Sequence, residues 1–398
     1  MNQTEKPITD QSALTTPPSG TSQMVAAGQV ASRTAAHDAF ADYHDRRANS
    51  TLRNQTAALV LFARYLAAAS VIELVADALA WSEQTSLTAA VKLRAIAANR
   101  SGQHSEKAQQ KARAKLCGLY LQHSPNAWHG VTWGLIRHFV KWLLEQGYSV
   151  ATVNNRLAAV KTYAQLATLA GVIDPGEYQR IKGVSGYGRT EAKRVDDRRD
   201  VVRVSTEKDA PVSLSAEDAQ TLRHGHDPTS PQGARDRLLM CLLLDHGFRV
   251  GEVAGLTIGN LNMIQRKIRF YRQKVDKYQT HQMTHATIDA ARTYLALHPL
   301  QDEDAPLLVG STRGGRLTQR GMTTRALHKR VARLGREMLG LPNLSPHDCR
   351  HYWATDAAQS GTDPFRLQEA GGWASLDMPR HYIEEAEIAN SGVRLGSQ

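Results

Sequence analysis

Apolar residues recur at helical spacing over most of the chain from about Leu52 onward. Leu59, Phe62, Ala63 and Leu66 stand at i, i+3, i+4 and i+7, the positions that share one face of a helix. Trp133, Ile136, Phe139, Val140, Leu143 and Leu144 make a comparable face, and Gly147 stands where a left-handed residue closes such a helix. Ser149 then suits the N-cap of a helix carrying Val153, Leu157, Val160, Ala164 and Ala167 on one side, with Arg156 and Lys161 flanking that stripe. Residues 51–184 therefore read as an all-α domain.

The flanks of that domain differ from it. Residues 1–50 are rich in Thr, Ser, Gln, Ala and Gly, hold a Pro17-Pro18 pair and show no sustained apolar period, which predicts a disordered tail. Residues 185–210 are basic, Gly-containing and poor in apolar residues, the character of a charged interdomain linker. A second domain, 211–398, opens with Ser215 and Asp218 placed to cap a helix. The run Arg235–Asp245 continues as a helix that Gly247 closes. The period then changes. Lys267–Tyr271 and a segment near Gln279–Thr287 are short, contain Tyr, Ile or Thr, and predict a small hairpin. Helical patterns return from Asp289 onward. The fold class is thus mainly α: an α-helical domain followed by a mixed, mostly α domain with one small antiparallel sheet.

Composition narrows the function. Of 398 residues, 49 are basic and 38 acidic, a net charge of +11 that favours a polyanionic partner, nucleic acid above all. Cys117, Cys241 and Cys349 are odd in number and scattered, so they cannot be a disulfide framework and point to a reducing cytoplasm. No run approaches the roughly 18 apolar residues of a membrane span, and the N-terminus shows no secretory signal.

Three segments carry candidate chemistry. In Ser345-Pro346-His347-Asp348-Cys349-Arg350-His351, Ser345 suits the N-cap, Pro346 the first turn and Asp348 the N3 position. His347 and Arg350 then lie one turn apart on one face at a helix N-terminus, beside free backbone N–H groups, where a phosphate can sit. A metal site of His347, Cys349 and His351 fails, because i and i+2 positions on a helix point apart. In Gly247-Phe248-Arg249-Val250-Gly251-Glu252, one helix stops at a glycine and another starts at once. Arg249 there, in an apolar neighbourhood, needs a partner such as Glu252 or an anionic ligand. The third segment is Gly371-Gly372-Trp373, with Trp373 nine residues before Tyr382.

Taken in order, Arg249 in GFRVGEVAGL, then PHDCRHYWATDAAQSGTDPFRLQEAGGWAS, then Tyr382 resembles the catalytic signature of the tyrosine recombinases. These are site-specific DNA recombinases of the phage integrase and Xer type. The resemblance covers nearly all of 211–390, and the helical region of roughly 106–183 is similar in pattern to the family's core-binding domain. It implies that Arg249 and Arg350 clamp the scissile phosphate, that His347 assists there, and that Tyr382 is the nucleophile. Trp373 stands where most members carry a second histidine, and Glu252 where the family has a supporting acidic residue. A family lysine lies on the hairpin, where both Lys274 and Lys277 are candidates. Lys274 is preferred because the strand IRFYRQK runs directly into it, although the usual G-K-G-x-K-x-R form is absent. The resemblance further implies no cofactor and no metal, with double-stranded DNA as partner. It also implies duplex contacts from Arg156 and Lys161, and a homo-oligomer, four protomers on two DNA sites. A short helix at Ile383–Asn390 would help protomers hold one another. Two other readings remain: a topoisomerase-like enzyme that nicks and reseals, and a catalytically silent sequence-specific DNA-binding protein, against which the intact residue set argues.

Overall fold

In a computed structural model, described for residues 23–386 apart from 70, 72, 99–103, 200–211, 299–301 and 313, the chain forms two compact units, Met1–Glu207 and Lys208–Gln398. The architecture is mainly helical with small antiparallel sheets, as the periodicity implies.

The first unit contains α1 (Gln23–Asp45), α2 (Asn49–Ala68), α3 (Glu73–Gln84), α4 (Thr88–Ala98), α5 (Glu106–His123), α6 (Trp133–Glu145), α7 (Val150–Leu169), α8 (Pro175–Gly183) and α9 (Arg189–Asp197). Leu59, Phe62, Ala63 and Leu66 of α2 are all buried, as their spacing requires. Phe62 meets Phe139 of α6 edge-on at 5.1 Å, and the buried Trp128 indole donates to Leu121 O at 2.8 Å. Ser149 caps α7 by accepting from Thr152 N, and Gly147 before it has φ of 78°. The α6 face is narrower than expected, since Trp133 remains 38% exposed.

Two expectations for the flanks are corrected. Part of the expected N-terminal tail is the helix α1, rich in strong helix formers. One turn anchors it: Phe40 and Tyr43 pack on the buried Tyr163, whose hydroxyl lies 3.1 Å from His44 Nε2. So few apolar anchors leave no periodic signature. Residues 1–22 lie outside the described residues. The expected linker likewise begins as structure. Asn154 brackets the Tyr187 backbone with two hydrogen bonds of 2.8 and 2.9 Å, α9 follows, and Arg199 donates to Leu144 O and Tyr148 O. Its remainder, 200–210, lies outside the described residues.

The second unit contains α10 (Ala216–His224), α11 (Pro231–His246), α12 (Val250–Ala254), β1 (Leu261–Asn262), β2 (Lys267–Arg272), β3 (Lys277–Gln282), α13 (His285–Ala296), β4 (Val309–Ser311), β5 (Leu317–Gly321), α14 (Thr324–Leu339), α15 (Pro346–Gln359), α16 (Pro364–Gly371) and α17 (Asp377–Ala386). Helix α11 runs through the middle of the core, with Leu238–Leu244 buried on every side. The expected hairpin is β2–β3, antiparallel, with Arg272 opposite Lys277 and Phe270 opposite Gln279; β1 adds a third strand. Strand β2 alternates, so Ile268, Phe270 and Arg272 face inward. A second two-stranded sheet, β4–β5, breaks the helical stretch expected after Asp289. Its strands, VGS and LTQRG, are too short and polar to show alternation. Of the short helix expected at Ile383–Asn390, the described part continues α17 (Asp377–Ala386), which includes Tyr382; residues 387–390 lie outside the described residues.

Helix α11 ends at Gly247, whose φ of +60° favours glycine. A Cβ there would fall 2.2 Å from the Trp353 ring. Gly247→Ala is therefore expected to destabilise this unit by about 2–4 kcal/mol, combining left-handed strain with overpacking. Urea unfolding followed by circular dichroism would read this as a lower midpoint. An unchanged midpoint would show that the turn relaxes freely.

Candidate active site

The site grows from three chain breaks: the Gly247 turn into α12, the start of α15, and the Gly371-Gly372 turn that ends α16. At the first, Arg249 is the N-cap residue of α12, and Glu252 at N3 reaches back to it. The Arg249 backbone N–H donates to Glu252 Oε2 at 2.8 Å and its guanidinium to Glu252 Oε1 at 3.1 Å. The other guanidinium arm donates to Gly372 O at 2.8 Å.

At the second break, Ser345 and Asp348 form the expected capping box. Asp348 accepts from Ser345 N at 2.7 Å and also from Val212 N at 3.0 Å, which fixes the helix entrance. His347 is exposed in the first turn, and Arg350, one turn on, is only 4% exposed. Arg350 donates to Gly247 O and Gly371 O, joining the other two breaks. Burial is the largest cause pulling its pKa down to about 9, followed by the charges of Arg249 and Arg272. It remains a cation at neutral pH, and an anion arriving beside it would relieve the strain.

At the third break, Gly372 takes φ of +61° and a Cβ there would meet Arg272 Cδ at 2.6 Å. The turn presents Trp373, whose ring covers Arg350 with the guanidinium carbon 4.5 Å from the ring centroid, a cation–π contact. Tyr382 on α17 is 2% exposed, its ring 5.8 Å from Trp373 and 5.0 Å, edge-on, from His351. Its phenol lies near enough to act on the Arg350 charge.

The structure thus brings together Arg249, Glu252, Arg350, Trp373 and Tyr382, with His347 on the same helix face as Arg350. Lys274 and Lys277 are both exposed, Lys274 in the turn of the β2–β3 hairpin and Lys277 opening β3. Arg272 escaped the sequence reading. Its side chain has no exposure and donates to Glu252, Gln279, Ala370 O and Gly371 O. Its signal was an arginine on the inward phase of KIRFYR. His351, considered before only as a metal ligand, proves to be a ring neighbour of Tyr382.

The two residues expected to face a duplex have partners inside their own unit. Arg156 donates to Asn54 O at 3.1 Å, and the Lys161 ammonium caps the end of α8 through Lys182 O and Val184 O. Elsewhere in that unit a surface groove is lined by Trp133, Arg137, Lys141, Val184 and Ser185, with Arg180 on an adjoining stretch. In the second unit, α14 buries Leu327, Val331 and Leu334 and exposes Arg325, His328, Lys329, Arg333 and Arg336. Among the described residues, no cluster of His, Cys, Asp and Glu could hold a metal, and no helix is long and apolar enough to cross a membrane.

The phage integrase family profile matches residues 213–387, and the profile of the phage integrase N-terminal SAM-like domain matches residues 111–171, between them more than half of the chain. The chain belongs to the phage integrase family, the tyrosine recombinases. It is 29% identical over 262 residues to the tyrosine recombinase XerC of Roseiflexus castenholzii, covering 64% of this chain and 75% of that protein. XerC of Corynebacterium efficiens is 28% identical over 244 residues, 61% and 70% of the respective chains. Among solved structures, the XerH site-specific recombinase in its post-cleavage complex with the palindromic difH substrate aligns with a TM-score of 0.49. It is 20% identical and covers 84% of this chain and 94% of that one.

Proposed function

We infer that this chain is a site-specific DNA recombinase that cuts and rejoins duplex DNA through a 3′-phosphotyrosine at Tyr382. The observation that carries this is the assembly of Arg249, Arg350, Trp373 and Tyr382 around the carbonyls of one Gly371-Gly372 turn.

Tyrosine, with a pKa near 10, is a weak nucleophile toward a negatively charged diester. Arg249 and Arg350 address that barrier by taking the charge that grows on the non-bridging oxygens, which are commonly worth about 10²–10³ in rate per donor. The Tyr382 oxygen attacks phosphorus, its proton passes toward His347, and the bond from phosphorus to the 5′-oxygen breaks. That oxygen leaves as a hydroxyl when Lys274 supplies a proton. The phosphotyrosine keeps the diester's bond energy, so a 5′-hydroxyl from another strand reverses the steps and seals the new junction. Trp373 holds the Arg350 guanidinium plane. Its indole N–H donates but cannot relay protons, so proton transfer rests on His347 and the lysine.

Double-stranded DNA is the partner that the basic outer face of α14 and the Trp133–Arg137–Lys141 groove fit. Exchange between two sites calls for four protomers, and the reaction belongs to the cytoplasm, with the DNA. Phosphate contacts release counterions, so raising salt from 50 to 200 mM is expected to weaken DNA binding by about 10³-fold or more. Single-turnover cleavage by the preformed complex should change by less than about threefold, because Arg350 and Arg272 are buried and Arg249 is largely so. Filter binding and a single-turnover assay at both salts read the two quantities. The function itself is tested on plasmids carrying two copies of the DNA recovered with the protein from cells. Recombinant circles support exchange, whereas relaxation without recombinants would indicate a nicking and resealing enzyme.

A further inference from the structure

Arg272 is the most completely buried cation of the site, and its surroundings set it apart from a packing strut. It occupies an inward β2 position whose predecessors, Ile268 and Phe270, are apolar. Burying a charge is costly unless it is paired and hydrogen-bonded, and Arg272 is both. It donates to Glu252 at 3.0 and 3.2 Å, to Gly371 O at 3.0 Å and to Ala370 O at 2.6 Å, while Gln279 accepts from its Nε and itself donates to Glu369 O at 2.5 Å. Its guanidinium carbon lies 4.8 Å from the Phe270 ring centroid. Lys274 stands two residues further along the same hairpin.

The decisive feature is charge. Glu252 pairs with both Arg249 and Arg272. Without Arg272, that carboxylate would neutralise Arg249 and leave the guanidiniums one surplus positive charge, carried by Arg350. With Arg272, three guanidiniums face one carboxylate and the surplus is two. A diester carries one negative charge, and attack by a phenolate brings a second onto the five-coordinate phosphorus. We propose that Arg272 is a positioning residue of the phosphate site: it offsets Glu252, so that Arg249 and Arg350 meet the reacting phosphate with two uncancelled charges. The neighbouring His281 agrees with this field. Burial first, then His246, Arg272 and Arg350, push its pKa down to about 3, so it adds no charge of its own.

This rests on the recombinase reading, and the test separates the two. Single-turnover adduct formation is measured on a suicide DNA whose scissile group is either the natural diester or a neutral methylphosphonate. Arg272→Gln is expected to slow the diester about 100-fold. On the methylphosphonate, which never gathers the second charge, the same change should cost less than about threefold. Arg272→Lys keeps the charge while losing the planar fork, and is expected within about tenfold of wild type on the diester. A defect of equal size on both substrates, or Arg272→Lys as slow as Arg272→Gln, overturns the proposal in favour of a structural strut. Should Arg272→Gln fail to fold by circular dichroism, Arg272→Lys decides alone: a retained diester rate supports the proposal, and a hundredfold loss on both substrates overturns it. Failure of the wild type to form any adduct would instead defeat the recombinase reading.

Discussion

Tyr382→Phe is expected to form no covalent adduct on a suicide DNA that traps the wild type as an SDS-resistant complex. The change removes one oxygen and little else. The ring keeps its contacts with Trp373 and His351, so the fold and the affinity for DNA should persist. The loss of cleavage should exceed about 10⁴-fold, because no remaining step can replace a missing nucleophile. The position is 2% exposed, which makes an accidental substitute from the surface difficult. Electrophoresis under denaturing conditions reads the adduct, and a mobility shift on intact DNA reads binding. An adduct formed by the Phe variant would move the chemistry to another residue.

Lys274→Ala should slow cleavage of a normal diester by about 10²–10⁴-fold, the usual contribution of a general acid. The 5′-oxygen leaves poorly as an alkoxide, whereas a thiol ionises near pH 8.5 and leaves without a proton. A DNA with sulfur in the bridging 5′ position should therefore restore the Lys274→Ala rate to within about tenfold of wild type. Lys277→Ala should leave the diester rate within about threefold of wild type, since its side chain opens β3 rather than the turn. The reverse pattern would transfer the proton to Lys277. The paired substrates matter because both lysines are exposed and either substitution should fold.

Much of this site was legible because its parts lie at chain breaks with strong local chemistry. Ser345, Pro346 and Asp348 announce a helix start, and the start alone orients His347 and Arg350 on one face. Arg249 and Glu252 were readable as an arginine at a helix junction with an acidic partner one turn on, which the structure makes the N-cap and N3 residues of α12. Arg272 was not, because a strand of six residues offers only three inward positions, and an arginine among them breaks the apolar alternation that marks a strand. Helix α1 and the β4–β5 sheet were missed for a related reason. The first is held by a single turn around Tyr163, and the second by backbone pairing between polar residues. Arg156 and Lys161 show where the pattern stops short: their helix is as read, but a charged side chain flanking a core stripe can serve the protein's own carbonyls as readily as a partner's phosphates, and the pattern does not choose between them.

The anchoring of the three arginines has a consequence for how such a site can persist while its sequence drifts. Arg249 reaches Gly372 O, Arg350 reaches Gly247 O and Gly371 O, and Arg272 reaches Ala370 O and Gly371 O. Every residue type brings a carbonyl, so these acceptors survive almost any side-chain replacement around them. Glu252, Gln279 and the Trp373 ring, by contrast, hold an arginine through side-chain chemistry that a point mutation can erase. What the surroundings must preserve is the path of the backbone through two glycine turns, a far looser demand than a set of matched side chains. A chain could exchange many of the side chains around this site and still meet it.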